Sequence, residues 1–258
     1  MTALLVATQV ELFKLRRTLG LLAAVVVPLA ILIMVGATTL SRDPGALTGN
    51  PWDALVVNFT YFLWCILALP LLITLEAALL AGLEHSEHHW KDLFALPIPR
   101  WSVYAAKLLT AALLIALSLL VLAVGLGILG TLLNGIRPSL GLTPPVPWLD
   151  IFSGVAKMFG ASLLLLALTT WVAVRWSSFA VPCAVGIVGT VVGLTLDISA
   201  RSDFWARLFP WSMPISAVAR IDQYRTLEDH VIAIVFGVIG GLIVSALGAW
   251  DIARRDVI

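Results

Sequence analysis

The run Leu108–Ile136 reads LLTAALLIALSLLVLAVGLGILGTLLNGI and contains no Asp, Glu, Lys or Arg. About 20 apolar residues of helix, at roughly 1.5 Å each, cross the ~30 Å of hydrocarbon in a bilayer. The run exceeds that length, and it lacks the apolar–polar alternation of a membrane barrel strand. It reads as a transmembrane helix. Residues 18–41, 54–75, 176–196 and 230–250 are also free of charge and long enough. Residues 158–174 supply a sixth stretch, on a helix that begins near Leu149 and carries Lys157 in its outer part. These stretches predict an all-α integral membrane fold in a single domain, 1–258, with spans at about 19–40, 58–83, 101–133, 149–174, 178–197 and 230–250.

Composition agrees. Of 258 residues, 60% are hydrophobic and 12% charged, against about 25% charged in an ordinary globular domain. So few charges cannot furnish a water-facing surface, which excludes a soluble enzyme. The net charge of +1 argues against a nucleic-acid partner. The two cysteines, Cys65 and Cys183, lie in apolar runs and offer neither a disulfide framework nor a zinc knuckle.

Lys14, Arg16 and Arg17 precede the first span, whose apolar run is longer than a signal-peptide core, so it is read as an uncleaved helix. Ahead of it, 2–17 mixes Leu4, Leu5, Val10, Leu12 and Phe13 with Gln9, Glu11 and Lys14, the pattern of an amphipathic interfacial helix. Basic residues near the span ends place both termini in the cytoplasm: Lys14, Arg16, Arg17, Lys91, Arg100, Lys107, Arg175, Arg254 and Arg255 fall inside. Trp52, Trp148, Trp205 and Trp211 fall near outer ends, where indoles settle at the interface, and Trp64 alone lies well inside a span. Between spans five and six, Phe204, Trp205, Phe209 and Trp211 alternate with Arg201 and Arg207, and Pro210 and Pro214 divide the segment. It is read as short outer-leaflet or partly re-entrant helices, with a plain loop bearing interfacial aromatics as the competing reading.

Chemistry-bearing patterns are few. No G-x-x-x-x-G-K-[ST] occurs, so the chain holds no Walker loop for a nucleotide, and H-E-x-x-H and G-x-S-x-G are missing too. His85, His88 and His89, with Glu84 and Glu87, have spacing that could converge on a metal, but no fourth ligand comes from another segment. They are read as a solvated polar face. Charges within spans are costly and point to function or pairing. Glu76 in span two and Lys107 in span three reach similar depth on antiparallel helices, so they are expected to pair and lock the hairpin. Lys157 and Asp197 both sit toward the outer face and could pair likewise, or Lys157 could snorkel to headgroups. Gly189 and Gly193, and Gly237 and Gly241, are four apart, spacing that serves close packing within a chain or between copies.

The loop between spans two and three is the most informative: Glu84-His85-Ser86-Glu87-His88-His89-Trp90-Lys91-Asp92-Leu93-Phe94-Ala95-Leu96-Pro97-Ile98-Pro99-Arg100. It is polar on one side and apolar on the other, as a helix needs to lie on a membrane surface and enter a partner's groove. With Tyr104 and Lys107 beyond it, this run resembles the segment of ABC-2-type transporter permeases in which an acidic span-two end leads to a short helix and then a "P-x-x-R…Y…K" entry into span three. The layout of the whole chain is similar to that family, and in size and texture to the small six-span subunits of bacterial antimicrobial-peptide (lantibiotic) immunity exporters. The resemblance implies a permease subunit with no catalytic residues or bound cofactor of its own. ATP and Mg would sit on two separate ATPase subunits, and a second permease, identical or related, would complete the complex in the bacterial plasma membrane. It also implies that Glu84, Glu87, His88, Lys91, Phe94 and Arg100 of a cytoplasmic coupling helix contact the ATPase. The competing class is an ATPase-independent membrane enzyme or assembly scaffold using the 85–89 histidines with Glu76 and Lys107.

Overall fold

In lipid the backbone must satisfy its own hydrogen bonds, and a continuous helix does so within one segment. The computed structural model describes residues 2–15, 19–42, 50–86, 99–143, 145–176, 178–199, 203–219 and 226–254. Among these residues there is no strand, and six helices are long and apolar enough to cross a membrane. The protein is an all-α, multi-pass membrane protein. Helix α1 (Thr2–Leu15) precedes the first span, α2 (Leu19–Leu40). The second span, α3, opens at Pro51–Asp53, continues through π-helical segments Ala54–Tyr61 and Trp64–Ala68, and becomes regular over Leu69–Ser86. Spans three to five are α4 (Arg100–Ile136), α5 (Trp148–Arg175) and α6 (Ala180–Ser199). Two short helices, α7 (Phe204–Arg207) and α8 (Met213–Ser216), lead to the last span, α9 (Leu227–Arg254).

The second span begins seven residues before the expected 58. Asn50 caps it by accepting the Trp52 N–H at 3.0 Å, and Pro51 supplies the fixed φ of a first helical position. Asp53 then lies at the positive end of the helix instead of in a loop. The second π segment has a local cause farther along. Pro70 has no N–H, and its ring would crowd the carbonyl four residues back. Just ahead of it the helix widens, and the Leu69 N–H reaches back five residues to Trp64 O.

Helix α3 is the central column. In its most apolar window 72% of the residues are buried, against 22% for α9. Trp64, Leu69 and Ile73 on α3 are fully buried and join Ile115, Leu122 and Leu126 of α4 and Ile151, Met158 and Leu165 of α5 in one core. Ile33, Leu113, Leu132 and Leu242 face outward, as a lipid-facing surface requires.

The glycine faces are filled from within the chain. A Cβ on Gly237 would meet the backbone of Gly160 and Ala161, and one on Gly241 the backbone of Leu163, so α9 and α5 make the most extensive helix contact in the molecule. On α6, Gly189 and Gly193 receive the side chain of Trp211. Trp211 stacks on Phe209 with ring centroids 5.3 Å apart. The segment between α6 and α9 does contain short helices. However, Met213, Ile215 and Ala217 are buried against the bundle, so α8 is part of the core and does not lie on a leaflet surface. Trp52 is likewise buried, its ring seated on Gly130 and its indole N–H donating to Thr143 O at 3.0 Å, whereas Trp205 is exposed.

The start of α4 and the ends of α5 and α9 meet at one end of the bundle, where Tyr104 rests on Gly248 and Arg175 reaches Asp251. We call this the terminal end, and the opposite one the far end.

Candidate functional site

At the terminal end α1 packs against α4, the second helix of the α3–α4 hairpin. Glu84 lies in the last turn of α3, which closes at Ser86, and α4 opens at Arg100. Pro99 precedes that opening and cannot donate, but its carbonyl accepts from the Ser102 N–H at 2.9 Å and the Ser102 hydroxyl at 2.6 Å. Glu84 and Arg100 therefore stand on the two helices that carry the intervening loop. Glu87, His88, Lys91 and Phe94, together with the helix expected for them, lie outside the described residues, as do His89 and the side chain of His85.

Farther along the same two helices lies a buried ionic clamp. Lys107, on α4, is 1% exposed, and Glu11, on α1, is 3% exposed. Lys107 Nζ sits 3.4 Å from both Glu11 carboxylate oxygens and donates to Leu80 O of α3 at 2.8 Å. Lys14 Nζ adds a second cation 3.3 Å from Glu11 Oε1. A buried ammonium needs an opposite charge and accepting oxygens to offset its lost hydration. Here one lysine draws them from two further helices, so α1, α3 and α4 are joined at a single atom.

The expected Glu76–Lys107 pair does not form. Glu76 is fully buried, and neither of its carboxylate oxygens has a hydrogen-bond partner. The reason is directional. Lys107 meets α3 at Leu80, one turn closer to the terminal end than Glu76. Its ammonium reaches instead to α1, which packs against α4. Equal depth along two helices predicted the wrong acid, because the interfacial helix supplies a nearer one. The Lys157–Asp197 pair is not formed either: Asp197 is buried on α6, and Lys157 lines a cavity described below.

Residues 7–193 match the family described as ABC-2 family transporter protein. The chain belongs to this ABC-2 transporter family. No curated protein and no solved structure matches it. The family match begins within α1 and ends within α6, so both halves of the clamp and the whole α3–α4 hairpin of this permease fall inside it.

A second polar lock, formed between residues inside the match and Asp251 beyond it, closes the terminal end of the permease. Arg175, in the last turn of α5, places Nη1 2.9 and 2.7 Å from the two Asp251 carboxylate oxygens of α9, and the Trp171 indole N–H donates to Oδ2 at 3.0 Å. Asp251 was not singled out from sequence. The available signal was an acid in the final turn of the last span facing a basic, Trp-flanked end of the fourth. Hydroxyls of Tyr104, Thr110 and Thr170 are also buried without a hydrogen-bond partner, so the interior of the bundle holds polar capacity that its own side chains do not use.

Proposed function

We propose that this permease is the transmembrane subunit of an ATP-binding cassette transporter that exports or expels a hydrophobic or amphipathic substrate (peptide, drug or lipid), driven by ATP hydrolysis on separate ATPase subunits. The observation that carries the reading is the Lys107 clamp. It joins α1 to α3 and α4, the two helices that carry the segment family resemblance assigns to the ATPase. A push on that segment reaches α3 and α4 through the backbone and α1 through the ion pair, so three helices move as one body. On this reading Glu84, Glu87, His88, Lys91, Phe94 and Arg100 contact the ATPase. Two ATPase subunits, with ATP and Mg, and a second permease complete the assembly in a bacterial plasma membrane, with both chain termini cytoplasmic.

The work is mechanical. Transport requires that the substrate bind one arrangement of the helices more tightly than the other, and ATP binding by the partner selects the arrangement. The apolar bundle favours a substrate that arrives through the membrane, and antimicrobial-peptide immunity is the narrower assignment. The test is co-expression of the tagged permease with a candidate Walker-type ATPase. The ATPase should co-purify, removal of residues 85–96 should uncouple it, and amphipathic peptides or lipids should stimulate ATP hydrolysis in liposomes. Failure to bring down any ATPase, together with intact function after the deletion, would overturn the transporter reading. Stimulation by a sugar and by no amphiphile would overturn the substrate class.

A further inference from the structure

The far end holds a cavity of about 230 Å³ between the start of α3, the first turns of α5 and the start of α9. Its chemistry comes from Asp53 on α3, Asp150 and Lys157 on α5, Tyr61 on α3 and His230 on α9, with Trp52 in the wall. Two of these groups are spent internally. The Tyr61 hydroxyl donates to Ile151 O at 2.7 Å, and His230 Nε2 lies 2.9 Å from Ala219 O. Among the described residues, Asp53, Asp150 and Lys157 form no ion pair. By contrast, other charges at this end are engaged: Arg137 donates to Leu40 O and Arg42 O at 2.7 Å each, and Arg207 pairs with Asp229 at 2.5 Å. A lysine partway down an apolar helix with no counter-ion is costly unless something external supplies an anion.

The order of the charges along α5 is informative. Asp150, Gly154 and Lys157 share one helix face, and the seven residues from Asp150 to Lys157 set the lysine's Cα about 10 Å deeper. Both carboxylates are exposed at the mouth, while Lys157 is half-buried. The anion subsite is thus carried by the deeper turn of α5 and the cation subsite by the shallower one. A zwitterionic phospholipid presents its headgroup in the same order, with the phosphodiester next to the acyl chains and the ammonium toward water. An anionic headgroup would bring its outer portion against two carboxylates without an ammonium to answer them. The volume is below the ~300 Å³ at which drug-sized pockets begin, which suits a headgroup and is too small for a folded peptide.

We propose that this cavity binds the headgroup of a zwitterionic phospholipid, with its phosphate on Lys157 and its ammonium between Asp53 and Asp150. The site is independent of whether the chain transports. It is tested on the purified full chain in detergent by native mass spectrometry with dihexanoyl phosphatidylethanolamine, dihexanoyl phosphatidylglycerol and free phosphoethanolamine. The ethanolamine lipid should bind about tenfold tighter than the glycerol lipid, as one charge-assisted contact is enough to give. Lys157→Gln should lose most of that binding and Lys157→Arg should keep it. The double variant Asp53→Asn/Asp150→Asn, altered only at exposed side chains, should still bind lipid but no longer distinguish the two headgroups, and it serves if Lys157→Gln does not fold. Equal binding of both lipids by the unaltered protein, or undiminished binding by folded Lys157→Gln, would overturn the proposal. Free phosphoethanolamine binding as tightly as the lipid would overturn the lipid assignment in favour of a soluble phosphoammonium ligand.

Discussion

Lys107 and Glu11, 96 residues apart in sequence, meet at 3.4 Å in a setting where neither side chain is more than 5% exposed. The interfacial helix α1 is therefore an integral part of the bundle. It supplies the countercharge for a lysine of the third span, and that lysine simultaneously holds a carbonyl of the second.

Breaking the pair from either side should destabilise the protein severely. Removing one partner of a buried ion pair costs about 3–5 kcal/mol, because the other charge is left behind. Lys107→Met and Glu11→Gln should each lower the yield of monodisperse protein and its melting temperature in detergent. In the reversal series, Glu11→Lys should restore Lys107→Glu, whereas Glu76→Lys should not. Rescue by position 76 instead of position 11 would show that the clamp is wrongly assigned.

The buried tyrosines should respond oppositely to loss of their hydroxyls. Tyr61→Phe removes a 2.7 Å bond to Ile151 O and should cost about 1 kcal/mol. Tyr104 OH has no hydrogen-bond partner, so Tyr104→Phe should be neutral or slightly stabilising. Side-by-side thermal unfolding in one detergent decides the matter, and equal losses would contradict the assignment.

The glycines of α9 should tolerate no added bulk where they touch backbone. Gly237→Ala puts a methyl group 2.6 Å from Ala161 Cα and Gly160 O, neither of which can rotate away. Such overpacking costs about 1–3 kcal/mol. Gly135→Ala, where a Cβ would have nothing within 4 Å, is the matched control and should lose no stability. A melting temperature for Gly237→Ala as high as that of the control would mean α9 is free to move away from α5.

The Arg175–Asp251 lock should matter less than the clamp. Both side chains are partly solvent-exposed, so screening reduces the contribution of the pair, though the reach of Nη1 to both carboxylate oxygens and the Trp171 N–H on the same carboxylate raise it above a typical surface bridge. Asp251→Asn should cost roughly 1 kcal/mol, and the difference from the unaltered protein should shrink as salt is raised. A salt-independent loss would indicate a packing effect instead.

Much of this architecture was legible in the residues themselves. Whether a segment crosses a bilayer depends on its length and on the absence of charge, both local properties. The first span, Leu19–Leu40, accordingly lies where its apolar run placed it. The start of the second span was not legible from apolarity, because its first turns are set by Asn50, Pro51 and Asp53, a capping pattern that a search for charge-free runs passes over. The loop after Glu84 carried the family resemblance, and the match over residues 7–193 confirms the family.

Partners were a different matter. Depth along a span can be counted from sequence, but azimuth and side-chain direction depend on which helices are neighbours. Glu76 and Lys107 were matched in depth, yet Lys107 extends toward α1, and Trp211 turned inward because Gly189 and Gly193 left room for it. Sequence alone established that this is a six-span helical membrane protein with the marks of a permease, since hydrophobic partitioning acts segment by segment. Only tertiary structure decided which charge meets which, because pairing in a bundle is settled by the packing of whole helices against one another.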